Sequence, residues 1–168
     1  MRVLITVASR HGATEEIAAV IGRTLEEHGV RVEILPPARV ESVERFDAVI
    51  LGSGLYYGRW LPEATSLVEE LRETLAARPL WLFSSGPLGS PEPKPENEPR
   101  QLEELARELG AREHRIFAGE LERGDLSLAE RAVVRIVHAQ EGDFRDWSEV
   151  TGWANGIAEE LAKVSIPA

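Results

Sequence analysis

The sequence predicts an α/β domain: a doubly wound sheet of five parallel strands with helices on both faces. Three observations predict it. Strand-like and helix-like segments alternate about five times along the 168 residues, the pattern that builds successive βαβ units. Residues 3–8 form an apolar run rich in β-branched side chains, broken only by Thr6, which suits a strand buried on both faces. The segments after the first, third and fourth strands are rich in glycine and hydroxyl residues, as βα loops in such sheets commonly are.

Each element has its own signal. Gly12 interrupts the first strand, and a helix follows to about His28, with Ile17, Ala18, Ile21 and Leu25 at three- and four-residue spacing. Gly29 terminates it. Residues 30–35 form the second strand, ended by Pro36 and Pro37. Residues 46–51 form the third, followed by a glycine-rich loop. Pro62 then opens a helix that runs through Leu67, Val68, Leu71 and Leu75. Residues 80–83 form the fourth strand. Residues 86–99 hold five prolines in fourteen positions, predicting an extended and partly mobile loop. A helix through Leu102, Leu105, Ala106 and Leu109 stops at Gly110, and residues 115–118 form the fifth strand.

Residues 119–146 read as an insertion between that strand and the last helix. It carries one helix of its own, about 127–137, where Ser127 and Glu130 make a capping box. The final helix, Trp147–Val164, presents Val150, Trp153, Ile157 and Leu161. No repeat, heptad array or low-complexity tract divides the chain, so residues 1–168 are expected to form a single domain.

Composition narrows the function. Apolar residues make up 43% of the chain, enough for a packed core. The net charge of −10 repels a phosphate backbone and argues against nucleic-acid binding. Residues 1–84 carry 9 basic and 12 acidic groups, and residues 85–168 carry 10 and 17, so the N-terminal half is the better home for a small anion. Cysteine is absent, which removes disulfides, thiolate nucleophiles, iron–sulfur clusters and Cys-ligated zinc. No stretch approaches the roughly 18 apolar residues of a membrane span, and the N-terminus makes a poor signal peptide. A cytoplasmic protein is expected.

Three loops carry the chemistry. Ser9, Arg10, His11, Gly12, Ala13 and Thr14 join the first strand to the first helix. Free backbone N–H groups and the helix dipole favour an anion there, and Ser9 and Thr14 add hydroxyl donors. The same residues also fit an ordinary turn with Thr14 as helix cap. The loop holds no lysine, so it is not the P-loop of nucleoside triphosphate sites. After the third strand come Gly52, Ser53, Gly54, Leu55, Tyr56, Tyr57, Gly58, Arg59 and Trp60, with three of the ten aromatic residues inside five positions. Exposed aromatic rings suit a flat heteroaromatic ligand; alternatively one or more of the three packs against a neighbouring helix. After the fourth strand, Ser84, Ser85 and Gly86 offer N–H groups and hydroxyls. None of these serines sits in a G-x-S-x-G elbow. All three loops lie at the carboxyl edge of the expected sheet, where such folds bind ligands.

At these residues the chain resembles the flavodoxin-like FMN-binding family. The run from Ser9 to Thr14 is similar to the family's hydroxyl-x-x-Gly-x-Thr phosphate loop, the run from Gly52 to Gly58 to its second flavin loop, and Ser84-Ser85-Gly86-Pro87 to its third. The resemblance implies the strand order 2-1-3-4-5 and FMN as cofactor. Within the family the chain looks most like the menaquinone-dependent protoporphyrinogen dehydrogenase type, on residues 9–17, Tyr57-Gly58, Phe117-Ala118-Gly119 and Asp146-Trp147. That type implies oxidation of protoporphyrinogen IX with a quinone acceptor and peripheral contact with a membrane. The acidic residues Glu120, Glu122, Asp125, Glu130, Glu141 and Asp143 depart from the basic insertion of that type.

If FMN binds, the backbone of residues 10–14 with the Ser9 and Thr14 hydroxyls holds the phosphate. Residues 54–58 line the ring, Tyr57 or Trp60 stacks on it, and Ser85 and Gly86 meet its pyrimidine edge. No residue is required as a catalytic acid or base. His11, His28, His114 and His138 lack metal-ligand spacing, so no metal is expected. Three functions follow: an FMN oxidoreductase for a bulky organic substrate, an electron carrier between protein partners, or a fold relative that binds no cofactor and serves in protein contact.

Overall fold

A computed structural model describes residues 1–56, 58–86, 100–121, 142–143 and 145–164. Its long strands are β1 (Arg2–Ala8), β2 (Arg31–Leu35), β3 (Ala48–Tyr56), β5 (Leu80–Gly86) and β6 (Glu113–Ala118). They form a parallel sheet in the order β2-β1-β3-β5-β6. Counting only these long strands, this is the expected 2-1-3-4-5 order. A short strand, β4 (Arg59–Trp60), folds back antiparallel on β3 through the pairs Leu55–Trp60 and Tyr56–Arg59. Two further short strands, β7 (Glu120–Leu121) and β8 (Gly142–Asp143), pair antiparallel as a separate ribbon at the two ends of the insertion.

The helices are α1 (Ala13–Glu27), α2 (Pro62–Ala76), α3 (Arg100–Glu108) and α4 (Trp147–Val164). Strand side chains alternate between two cores, as a pleat requires. Val3, Ile5 and Val7 of β1 join Ile17, Ile21, Trp153 and Ile157 on the α1/α4 face. Leu4 and Ala8 join Leu67, Val68, Leu75 and Leu102 on the α2/α3 face. Helix spacing explains this burial: Ile17, Ala18, Ile21 and Leu25 make one stripe of α1. Asp146 fixes the start of α4, its Oδ1 accepting from the backbone N–H groups of Ser148 and Glu149. Those bonds and the one from the Ser148 hydroxyl, the largest contributor, hold its carboxyl below the ordinary carboxylate range.

Two expected boundaries are corrected. The third strand continues past Leu51 to Tyr56, and the fourth past Phe83 to Gly86. The reason is a ladder of pairs, Gly52–Phe83, Ser53–Ser84 and Gly54–Ser85, that carries the glycines as strand residues. Gly52 is small because a Cβ there would lie 2.2 Å from the Phe83 ring, and glycine inside a strand often marks such close approach. The helix expected at 127–137 and the proline-rich segment 87–99 lie outside the described residues.

Candidate functional site

The parallel register brings the strand ends to one level. Ala8 pairs with Ser53, Gly54 with Ser85, and Gly86 with Ala118. The first loop meets the other two above this edge. A Cβ on Gly54 would lie 3.3 Å from Thr14 Oγ1 and 4.0 Å from the carbonyl oxygens of Ala8 and Ser85. The Arg10 guanidinium stacks over the Tyr56 ring, 4.2 Å from its centroid. Thr14, Gly54 and Ser85 therefore meet at this edge, and the Arg10–Tyr56 stack joins the first loop to the end of β3.

Gly12, not Thr14, is the N-cap of α1. It adopts the left-handed conformation, φ 87°, and no side chain caps it. Its N–H donates to Ser9 Oγ at 3.1 Å, which leaves the Ser9 hydroxyl proton for another acceptor. Ala13 and Thr14 form the first turn, and amides in a first turn have no intrahelical acceptor. Thr14 is buried, while Arg10 and His11 are exposed. This end of α1 thus offers free N–H donors to an anion, with Glu15 and Glu16 of the first turn opposing the helix dipole and Glu16 paired with Arg145.

The second loop is a tight hairpin rather than an irregular loop. The Tyr56–Arg59 pair closes a two-residue turn, with Gly58 at φ 71°. Tyr57 lies outside the described residues. Leu55 and Tyr56 are half-buried and Gly58 is exposed. Trp60 is only 5% exposed and its indole N–H donates to Ser84 Oγ at 2.7 Å, so its ring belongs to the core. Of Tyr56 and Trp60, the two clustered aromatics among the described residues, Trp60 is the fully inward one.

The three serines of this edge are all buried. Ser53 is fully buried; its hydroxyl donates to the Gly54 carbonyl at 2.8 Å and accepts from Leu61 N–H at 3.0 Å. Ser84 is also fully buried and lies 2.8 Å from His114 Nε2. These two hydroxyls brace the edge from below. Ser85, 5% exposed, and Gly86, also buried, end β5 at the same edge. Burial pushes the His114 imidazole down to about 4, with the nearby Glu103 charge acting weakly in the opposite sense.

Three contributors escaped sequence reasoning. His114 carried no spacing signal because its partners Ser84 and Trp60 are remote in sequence. Gly119 leaves β6 so close to β5 that a Cβ would lie 2.5 Å from the Gly86 carbonyl oxygen and 3.2 Å from Ser85 Oγ; only a pairing register could reveal that. Arg145 returns from the insertion onto α1. Its side chain is 5% exposed, it donates to both Asp143 oxygens at 2.8 and 2.7 Å, it pairs with Glu16, and it stacks on Trp147. The hydrogen bonds from Arg145 hold the Asp143 carboxyl below its ordinary range. Among the described residues, no cluster of three or more His, Asp or Glu is placed to hold a metal ion, and no helix is long and apolar enough to cross a membrane.

The chain is 23% identical to protoporphyrinogen IX dehydrogenase [quinone] of Escherichia coli strain K12, over 99% of each chain. A solved flavodoxin from the domain Archaea matches with a TM-score of 0.63 and 20% identity, covering 96% of this chain and 99% of that one. Oxidised flavodoxin 2 from Bacillus cereus matches with a TM-score of 0.63 and 22% identity, covering 95% and 99%. Residues 4–148 match the family described as Flavodoxin domain. By that match, with the strand order and the loop-bearing edge behind it, the chain belongs to the flavodoxin-domain family.

Proposed function

We propose that this flavodoxin-like redox protein binds FMN and acts as an oxidoreductase that passes electrons from a porphyrinogen-like substrate to a quinone. The observation that carries the reading is the meeting of Thr14, Gly54 and Ser85 beneath the uncapped N-terminus of α1. The residues fit the cofactor. A dianion is met by the first-turn amides, by the Ser9 hydroxyl proton and by the Thr14 hydroxyl. The glycine at 54 leaves room where a Cβ would crowd Thr14. Residues 54–58 would line the ring, with Tyr57 the stacking side chain because Trp60 is buried. Ser85 and Gly86 would meet the pyrimidine edge.

FMN, when bound, would supply the redox chemistry that these side chains lack. The chain's own part is to bind, orient and exclude water. The Escherichia coli relative, alike over its full length, supports the substrate class. The same reading has the protein working in the cytoplasm and meeting its quinone at a membrane surface. A second reading, an electron carrier between proteins, is favoured by the net charge of −10, which would steer it toward a basic partner.

Absorption of the protein as purified tests the cofactor. A flavin spectrum, or quenching of added FMN fluorescence, is expected; a colourless protein that ignores FMN overturns the proposal. Turnover of protoporphyrinogen IX with a quinone then separates the enzyme from the carrier.

A further inference from the structure

We propose that His114 is a positioning residue for the flavin site: through Ser84 and Trp60 it holds the β3–β4 hairpin, and with it Tyr56, against the carboxyl edge of the sheet. The inference rests on the flavin reading only for its ligand. The geometry is a chain of two hydrogen bonds across three strands. Trp60 Nε1, which can only donate, lies 2.7 Å from Ser84 Oγ, and that oxygen lies 2.8 Å from His114 Nε2. The indole takes one of the hydroxyl's two lone pairs; with the Ser84 proton assigned to Nε2, the imidazole is the acceptor and is neutral. An imidazolium would reverse that bond and leave the Ser84 proton unanswered inside a fully buried site. The Trp60 and His114 rings also meet edge to face, with centroids 6.4 Å apart.

The hairpin needs such an anchor. β4 has two residues and pairs with β3 at only two positions, and a pairing that short is marginal alone. Tyr56, at the far end of β3, lies under Arg10 of the first loop. A shift of Trp60 is therefore felt at the wall that faces the anion-binding turn. Ser84 and His114 have the types of a nucleophile and its base, but a fully buried hydroxyl meets no substrate. Their chemistry serves to tie β4, β5 and β6 together.

The test compares His114→Phe, which keeps a ring but removes the acceptor, with His114→Gln, whose carbonyl oxygen can replace Nε2. Two readouts are taken on folded protein: amide hydrogen exchange of Leu55, Tyr56, Gly58 and Arg59 without ligand, and FMN affinity by fluorescence quenching. The expected result for His114→Phe is faster exchange in the hairpin and about tenfold weaker FMN binding, with both restored in His114→Gln. Ser84→Ala should reproduce the Phe result, and combining it with His114→Phe should add little; this variant decides the matter if His114→Phe does not fold. Wild-type hairpin exchange in a folded His114→Phe or Ser84→Ala protein overturns the proposal, as does a Gln variant that behaves like Phe. If wild-type protein ignores FMN, the flavin reading fails, and hairpin exchange still decides the positioning role.

Discussion

Gly12 opens α1 in the left-handed conformation, and in the flavin reading it governs how closely the phosphate approaches the first turn. Its φ of 87° costs most side chains about 1 kcal/mol or more, while Asn and Asp tolerate it best. Comparing Gly12→Asn with Gly12→Asp therefore separates backbone strain from charge. Asn is expected to weaken FMN binding only modestly, and Asp to weaken it by a further factor of about 100 or more, because a carboxylate then stands against the phosphate. Equal affinities by fluorescence titration would mean that the phosphate sits elsewhere. His114 makes a second prediction, in stability. Its imidazole titrates near 4 in the folded chain against 6.5 in the ordinary case. Between those values the unfolded chain binds the extra proton, so stability falls as pH falls from 6.5 to 4. At about 1.4 kcal/mol per pH unit the loss approaches about 3 kcal/mol. Denaturant midpoints taken at pH 7, above the roughly 4–6.5 window, and at pH 5.5 and 4.5, inside it, should show the decline in wild type and not in His114→Gln. Asp143 and Asp146, held below the ordinary carboxylate range, yield only at lower pH.

At the scale of elements, long periodic segments were legible. The stripe of α1, the run of β1 and the span Trp147–Val164 follow directly from apolar spacing. What was hidden is pairing across the sheet. Glycines 52 and 54 and serines 84 and 85 have the composition of a turn, yet they are strand residues, because Gly52 clears Phe83 and each has a partner in register. The hairpin at Trp60 was hidden for the same reason, so of the readings left open for that ring the inward one holds. The first loop could be read as a candidate anion site because its chemistry is local to six residues. The contact that ties the insertion back to α1 was not, since Glu16 and Arg145 are 129 residues apart. Arg145→Gln should release that tie. The expected cost is about 1–2 kcal/mol, because Glu16 and Asp143 are exposed enough to regain water. Hydrogen exchange should quicken at Asp143 and at Glu16, whose N–H is bonded to the Gly12 carbonyl. Unchanged protection there would mean that the insertion is held by other contacts.

For the whole molecule, the acidic excess separates the two redox readings. A carrier steered to a basic protein should lose most of its second-order rate between about 20 mM and 0.5 M salt, as the Debye length shrinks from about 20 Å to a few ångströms. Reaction with an uncharged quinone should barely change. Stopped-flow rates across that range make the distinction, and a flat response with a basic protein partner argues against the carrier. The outer strand β6 bears on the molecule's dealings with its neighbours. Glu113 and Arg115 stand two residues apart along it, paired at 2.7 Å, and Arg115 reaches Glu149 at 3.6 Å. A foreign strand seeking to extend the sheet at that margin would have to strip water from linked charges before gaining a single backbone bond. Charges along that border raise the cost of adding a foreign strand and so disfavour fibre growth from it.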